Sequence, residues 1–123
     1  MAGRPVLEPT AEHPITVTPT GRRVTVEVNG TVIAETDDAL TLQEADYPAV
    51  QYIPMRDVAA SALVCSDTTT YCPYKGDAAY YHVNAADQTV EDVIWTYGQP
   101  YPAVADIAGH VAFYPDKADV TVG

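Results

Sequence analysis

Basic residues are scarce in this sequence. The 123-residue chain carries 6 Lys+Arg against 17 Asp+Glu, a formal charge of -11. Non-specific binding to nucleic acid rests on Lys and Arg neutralising phosphates, so that class of function is excluded. Docking on an anionic membrane surface is excluded on the same ground. Six basic residues still suffice for one local pocket holding a small anion. Long apolar runs are missing as well, and nothing approaches the ~18 residues of a membrane helix. The opening MAGRPVLEPTAEHP has no apolar centre of the kind a secretory signal needs, so the expected location is the cytoplasm. Only two cysteines occur, Cys65 and Cys72, which make no disulfide framework in such a compartment. Their Cys-x6-Cys spacing, with His13, His82 and His110 scattered, matches no common zinc knuckle, so no metal ligand is expected. There is no Gly-x-Ser-x-Gly elbow, no His-Glu-x-x-His and no phosphate-binding glycine loop.

What is present is a chain that folds. Its apolar fraction is 47%, and its length suits a single domain able to bury about two-thirds of its unfolded surface. Residues 1–12 mix Pro, Glu and Ala without periodicity and read as a loose arm; residues 13–123 read as one β-rich domain. Val24, Val26 and Val28 alternate with Thr25 and Glu27, the period of a half-buried strand. Asn29-Gly30 and a second alternating stretch, Val32 to Glu35, complete a hairpin signature, because both turn positions require positive φ. Further strands are expected at 15–18, 39–42, 68–72, 78–83, 90–97, 111–114 and 119–122. The segment PMRDVAASAL departs from this pattern. Pro54 at a first turn, Asp57 at the positive dipole end and the Ala and Leu content predict one short helix over 54–63. The fold class is therefore mainly β, a small antiparallel domain with one short helix.

The segment Thr70 to Tyr81 is richest in chemistry, with a thiol, an amine, a carboxylate and four phenols around Pro73-Tyr74-Lys75-Gly76. Pro73 and Gly76 suit a three-residue hairpin loop ending in a glycine bulge. Cys72 is a candidate nucleophile if the Lys75 ammonium lowers its pKa. Lys75 is equally a candidate point charge for a phosphate or carboxylate. The alternative is that Pro and Gly only shape the turn, Cys72 packs as a small hydrophobe and Lys75 is solvated. Tyrosine is abundant, nine copies against one Phe, and buried hydroxyls need partners. Tyr80 and Tyr81 are consecutive, so a strand points them to opposite sides, whereas Trp95 and Tyr97 share a face. With a tyrosine of the turn hairpin, Trp95 and Tyr97 could wall an amphipathic pocket, or they could pack the core.

The motifs together place the chain beside a known family. His13-Pro14-Ile15, Arg23-Val24-Thr25-Val26 with Gly30, Tyr52-Ile53-Pro54 with Asp57-Val58, Tyr71-Cys72-Pro73-Tyr74-Lys75-Gly76 with Ala79-Tyr80-Tyr81, Trp95-Thr96-Tyr97 and Val111-Ala112-Phe113-Tyr114 carry the likeness over about residues 12–122. The chain resembles the bacterial domain-of-unknown-function family 427, catalogued under a nucleotidyltransferase-like name. Cys-Pro-Tyr-Lys-Gly is the most specific part. One departure is Met55 after Pro54, where relatives often carry arginine; here Arg56 stands one place later. The resemblance implies a mainly β fold of the tent-like type, two antiparallel sheets splaying from one edge. Tent-like relatives often hold zinc through Cys-x-x-Cys pairs, which this chain lacks, so zinc is not carried over and no cofactor is inferred.

Three functions follow. The first is a small-molecule binding domain, with Tyr80 or Tyr81, Trp95 and Tyr97 as walls and Lys75 and Arg56 as the anion contact. The second is a nucleotidyltransferase-like enzyme, with Lys75 and Arg56 on phosphate, Asp77 on a metal ion and Cys72 or a tyrosine near the reacting atom. The third is a ligand-free interaction domain. The expected partner is a small molecule or nucleotide, not a nucleic-acid polymer or a membrane.

Overall fold

A computed structural model describes residues 4–123. Ten strands run through the described residues: β1 (Ile15–Pro19), β2 (Val24–Val28), β3 (Thr31–Thr36), β4 (Leu40–Glu44), β5 (Val50–Pro54), β6 (Leu63–Cys72), β7 (Gly76–Ala85), β8 (Gln88–Tyr97), β9 (His110–Phe113) and β10 (Asp119–Val122). They form two open antiparallel sheets, one ordered β1-β4-β5-β9-β8-β7-β6 and the other β10-β2-β3. No described helix is long and apolar enough to cross a membrane.

Alternation along the strands builds the core. Val24, Val26 and Val28 of the small sheet are buried and pack with Ile53, Val83, Ile94, Val111 and Phe113 of the large sheet. The opposite face of the large sheet holds a second cluster, with Leu42, Tyr52, Tyr80, Tyr97 and Ala112 packed with Val104 and Ile107. Chain neighbours such as Tyr52 and Ile53, or Val111 and Ala112, thus serve opposite clusters, as a period of two demands. Val104 and Ile107 belong to a 3-10 stretch, Pro102–Ile107, which lies against β1.

The β2–β3 hairpin has the expected turn, with φ of 51° at Asn29 and 77° at Gly30. The predicted helix over 54–63 is not formed. Pro54 ends β5, and two separate 3-10 turns follow, Met55–Asp57 and Ala60–Ala62. Tertiary pairing overrides the helical composition here. The Met55 N–H donates to the Gly109 carbonyl, the Ala59 N–H donates to the Ile33 carbonyl, and Val58 bridges to Ala34. The pairings of Val58 and Ala59 hold the backbone extended between the two turns, where a continuous helix would need it coiled.

Glu91-Asp92 interrupts an otherwise apolar strand without breaking it. Asp92 sits in a bulge at φ 49°, and its carboxylate accepts from Ser66 Oγ (2.6 Å) and Thr68 Oγ1 (2.7 Å). These two hydroxyls hold the Asp92 carboxyl below its ordinary range.

Residues 4–12 carry no regular structure, yet the start of this segment is pinned to the β6–β7 hairpin. The Arg4 guanidinium grips the Asp77 carboxylate with both nitrogens and lies 4.2 Å over the Tyr71 ring. The Tyr71 hydroxyl donates to the Pro5 carbonyl at 2.6 Å, and the Leu7 N–H to the Pro73 carbonyl at 2.9 Å.

Candidate functional site

The Cys72–Gly76 hairpin turns Lys75 inward. Cys72 pairs with Gly76 across the β6–β7 ladder, and the Lys75 N–H donates to the Cys72 carbonyl at 3.1 Å. The Lys75 carbonyl in turn accepts from the Tyr101 N–H at 3.0 Å. With its backbone fixed on both sides, the Lys75 side chain is directed inward and only 10% exposed. Its Nζ donates to Glu44 Oε1, from the end of β4, and lies 3.9 Å from Cys72 Sγ.

Glu44 holds two partners. Its other oxygen, Oε2, lies 2.7 Å from His13 Nε2. The His13 ring stacks on Tyr74 of the hairpin loop, with centroids 4.4 Å apart, and meets the edge of Tyr47 at 6.1 Å. Burial alone would raise the Glu44 carboxyl; the hydrogen bonds and charges of Lys75 and His13 outweigh it and hold the group below its ordinary range. The carboxylate therefore bridges an ammonium and an imidazole.

Aromatic rings continue from this pair across β5, β8 and β7 to Tyr114, the residue that follows β9. Trp95 Nε1 donates to the Tyr52 hydroxyl at 3.2 Å, and the two rings meet edge to face. Tyr114 lies against Trp95, with centroids 4.5 Å apart, and shares a 3.2 Å hydroxyl contact with Tyr80. Thr70 Oγ1 lies 2.8 Å from the same Tyr80 hydroxyl. Burial pushes the Tyr52 and Tyr97 phenols well above their ordinary pKa, so both stay protonated donors at any working pH. Glu44 and Lys75, with Tyr52, Tyr80, Trp95, Tyr97 and Tyr114, line a cavity of about 270 Å³.

Four of the residues singled out in the sequence meet here: Lys75, Tyr80, Trp95 and Tyr97 all line the cavity. Cys72 is half-buried beside them and packs against the same apolar cluster. Tyr81 does not join them, because strand parity turns it to the cluster between the sheets. Arg56 is also elsewhere, exposed in a 3-10 turn and paired with Asp38 at 2.8 Å. Asp77 points out to Arg4. Glu44, His13, Tyr52 and Tyr114 were not among the sequence candidates. Glu44 reads as part of a solvated acidic turn, and nothing local tells that β4 delivers it beneath the lysine. Tyr52 and Tyr114 do stand in the matched motifs. Their spacing from Trp95 becomes meaningful only once β5, β9 and β8 are known to be neighbours.

With this geometry in view, the likeness of the motifs can be set beside the whole chain. The model of the family described as Domain of unknown function (DUF427) matches residues 16–123. The chain belongs to that family. The nucleotidyltransferase label comes with the name of the DUF427 model alone. No curated protein matches the chain.

The two thiols of this DUF427 domain differ in access. Cys65 is exposed on β6, whereas Cys72 is half-buried against the cavity cluster. Titration with a thiol-reactive disulfide is expected to proceed in two steps of one equivalent each. Cys65 reacts first, and Cys72 follows roughly tenfold more slowly or less. Cys65→Ser removes the fast step. A single fast step counting both thiols would show that Cys72 is freely open.

Proposed function

We propose that this domain binds a small polar ring compound in the cavity between Lys75–Glu44 and the Trp95–Tyr114 wall. The observation that carries this reading is a buried ammonium–carboxylate pair in the lining of an aromatic-walled cavity. Aromatic walls with a few fixed polar groups are the usual composition of a small-molecule site. The anion contact expected from the sequence is replaced by a different polar end. Arg56 is occupied elsewhere, and Lys75 arrives already neutralised by Glu44. Such a pair offers one donor and one acceptor, which suits a neutral or zwitterionic ligand better than a phosphate. Size argues the same way. The cavity, about 270 Å³, lies near the lower end of the range of about 300–1,000 Å³ usual for ligand sites, which favours a small ligand.

The transferase reading would need groups for phosphate and metal to converge. Arg56 and Asp77 are committed to Asp38 and Arg4, away from the cavity. Ligand class is therefore the discriminating measurement. A thermal-shift panel should set nucleobases, monosaccharides and small ring acids and amides against nucleoside triphosphates with Mg²⁺. A ligand at ~100 times its Kd adds about 2.7 kcal/mol, enough to raise the midpoint by several degrees. The expected result is a shift with a small ring compound, matched by a change in fluorescence of Trp95, the one tryptophan of the chain. A shift confined to triphosphate with Mg²⁺ would favour the transferase reading. Silence from every compound would leave an interaction domain.

A further inference from the structure

The chain has two lysines, and they stand in opposite settings. Lys117 is exposed, its Nζ donating to the Glu91 carbonyl at 2.9 Å. Lys75 is buried in the lining of the cavity, with a carboxylate on its Nζ and an imidazole behind that carboxylate. A second observation points into the same space. Tyr97 is 8% exposed, and its hydroxyl has no hydrogen-bond partner among the described residues. The oxygen is nevertheless not sealed off, since no fully enclosed polar atom lacks a partner. Tyr52 is similar in part: its oxygen accepts from Trp95, which leaves its own O–H free to donate. The cavity thus holds phenolic donors with no protein acceptor, close to an amine with a base attached. A ligand acceptor placed in the cavity would take over these donors from solvent.

We infer that the ligand class is a small aldehyde or ketone, and that Lys75 captures it as an imine. The inference rests on the binding reading above and adds the chemistry to it. The carbonyl oxygen is the acceptor the phenolic hydroxyls lack. Glu44 takes one proton from the Lys75 ammonium, freeing the nitrogen lone pair. That pair attacks the carbonyl carbon and forms the C–N bond as the C=O π pair moves onto oxygen; one proton then passes from the now cationic nitrogen to that oxygen through the Tyr97 hydroxyl, which restores the nitrogen lone pair. The carbinolamine then loses its hydroxyl as water, using the proton held on Glu44, and the nitrogen lone pair makes the C=N bond. In sum, one ammonium and one carbonyl give one iminium and one water, with charge conserved and no redox change. His13 on the far oxygen of Glu44 keeps that carboxylate oriented throughout. Covalent capture by a desolvated lysine beside a base is ordinary amine chemistry.

The test uses benzaldehyde, a single ring that matches the cavity, with benzyl alcohol as the partner lacking a carbonyl. Protein is incubated with each, with and without cyanoborohydride, which fixes an iminium as a stable amine. Binding is followed by Trp95 fluorescence, and trapping by intact mass and peptide mapping. The expected result is one benzyl adduct on Lys75 with Lys117 unmodified. Tyr97→Phe, which removes a hydroxyl that bonds to no described residue, should fold normally and slow trapping about tenfold. Any thiol adduct at Cys72 is reversible and is not fixed by hydride. Equal labelling of both lysines would overturn the proposal. So would fluorescence that titrates with benzaldehyde while Lys75 stays unmodified, and in that case the binding reading survives. No titration by either compound and no adduct would overturn the imine and count against the ring site itself.

Discussion

Lys75→Met is expected to cost the domain about 3 kcal/mol, and Glu44→Gln a similar amount, because the first leaves the buried carboxylate with His13 alone and the second leaves the buried ammonium without its counter-charge. The two side chains are 10% and 13% exposed, so water only partly replaces what is lost. For a domain of this length the loss lowers Tm by roughly 10 °C. Lys75→Met combined with Glu44→Leu removes both charges and is expected to fall within about 1 kcal/mol of the parent, since apolar replacement of a whole buried pair is often neutral. Chemical denaturation of the four proteins measures the coupling directly. Additive losses in the double variant would show that the pair is solvated and energetically idle. The same carboxylate sets an acid dependence. Its folded pKa lies below the ordinary value of 4.5, so its contribution is complete above that pH. It is lost as pH falls from there through the lowered folded value. The gap between the parent and Glu44→Gln should therefore narrow below pH 4.5.

Much of the strand content was legible because alternation is local. Val24, Val26 and Val28 declare a buried face, and Asn29-Gly30 declares the turn that follows. The β7–β8 turn was less legible. Ala86 and Asp87 adopt φ of 52° and 60°, the same primed-turn geometry, without a glycine to signal it. Both flanking strands consequently extend further than their apolar pattern shows. The helix expected over 54–63 failed for the opposite reason, as composition favoured coiling while distant partners at Ile33, Ala34 and Gly109 held the chain extended. The site divides along the same line. That Tyr80 and Tyr81 take opposite faces, and that Trp95 and Tyr97 share one, follows from parity alone. Which face carries the cavity depends on β9 lying between β5 and β8, and the β5–β9 half of that arrangement joins residues as distant as Ile53 and Val111. Glu44 could not be read at all, because an acidic residue near a turn looks solvated until the lysine above it is placed.

Gly76 is the position where a single methyl group is expected to disturb both fold and site. Its φ is 114°, a backbone region that side chains with a Cβ rarely enter, and a Cβ built there would lie 3.2 Å from the Gln99 carbonyl oxygen. Backbone cannot swing aside as a flexible side chain can. Gly76→Ala should therefore cost about 2 kcal/mol or more, and Gly76→Val more again. Gly30 supplies the control. Its φ of 77° is also positive, but nothing lies within 4 Å of a Cβ placed there. Gly30→Ala should lose only the conformational part, on the order of 1 kcal/mol. The difference between the two alanine variants isolates the close approach of the hairpin to the Gln99 backbone. That approach also fixes Lys75, whose carbonyl accepts from the Tyr101 N–H two residues beyond Gln99. If the hairpin is what aims the lysine, Gly76→Ala should weaken ring-compound binding under conditions where it remains folded, while Gly30→Ala should not. Equal stability losses at the two glycines, with binding unchanged in both, would show that the loop tolerates the methyl and that Lys75 is placed by Glu44 alone.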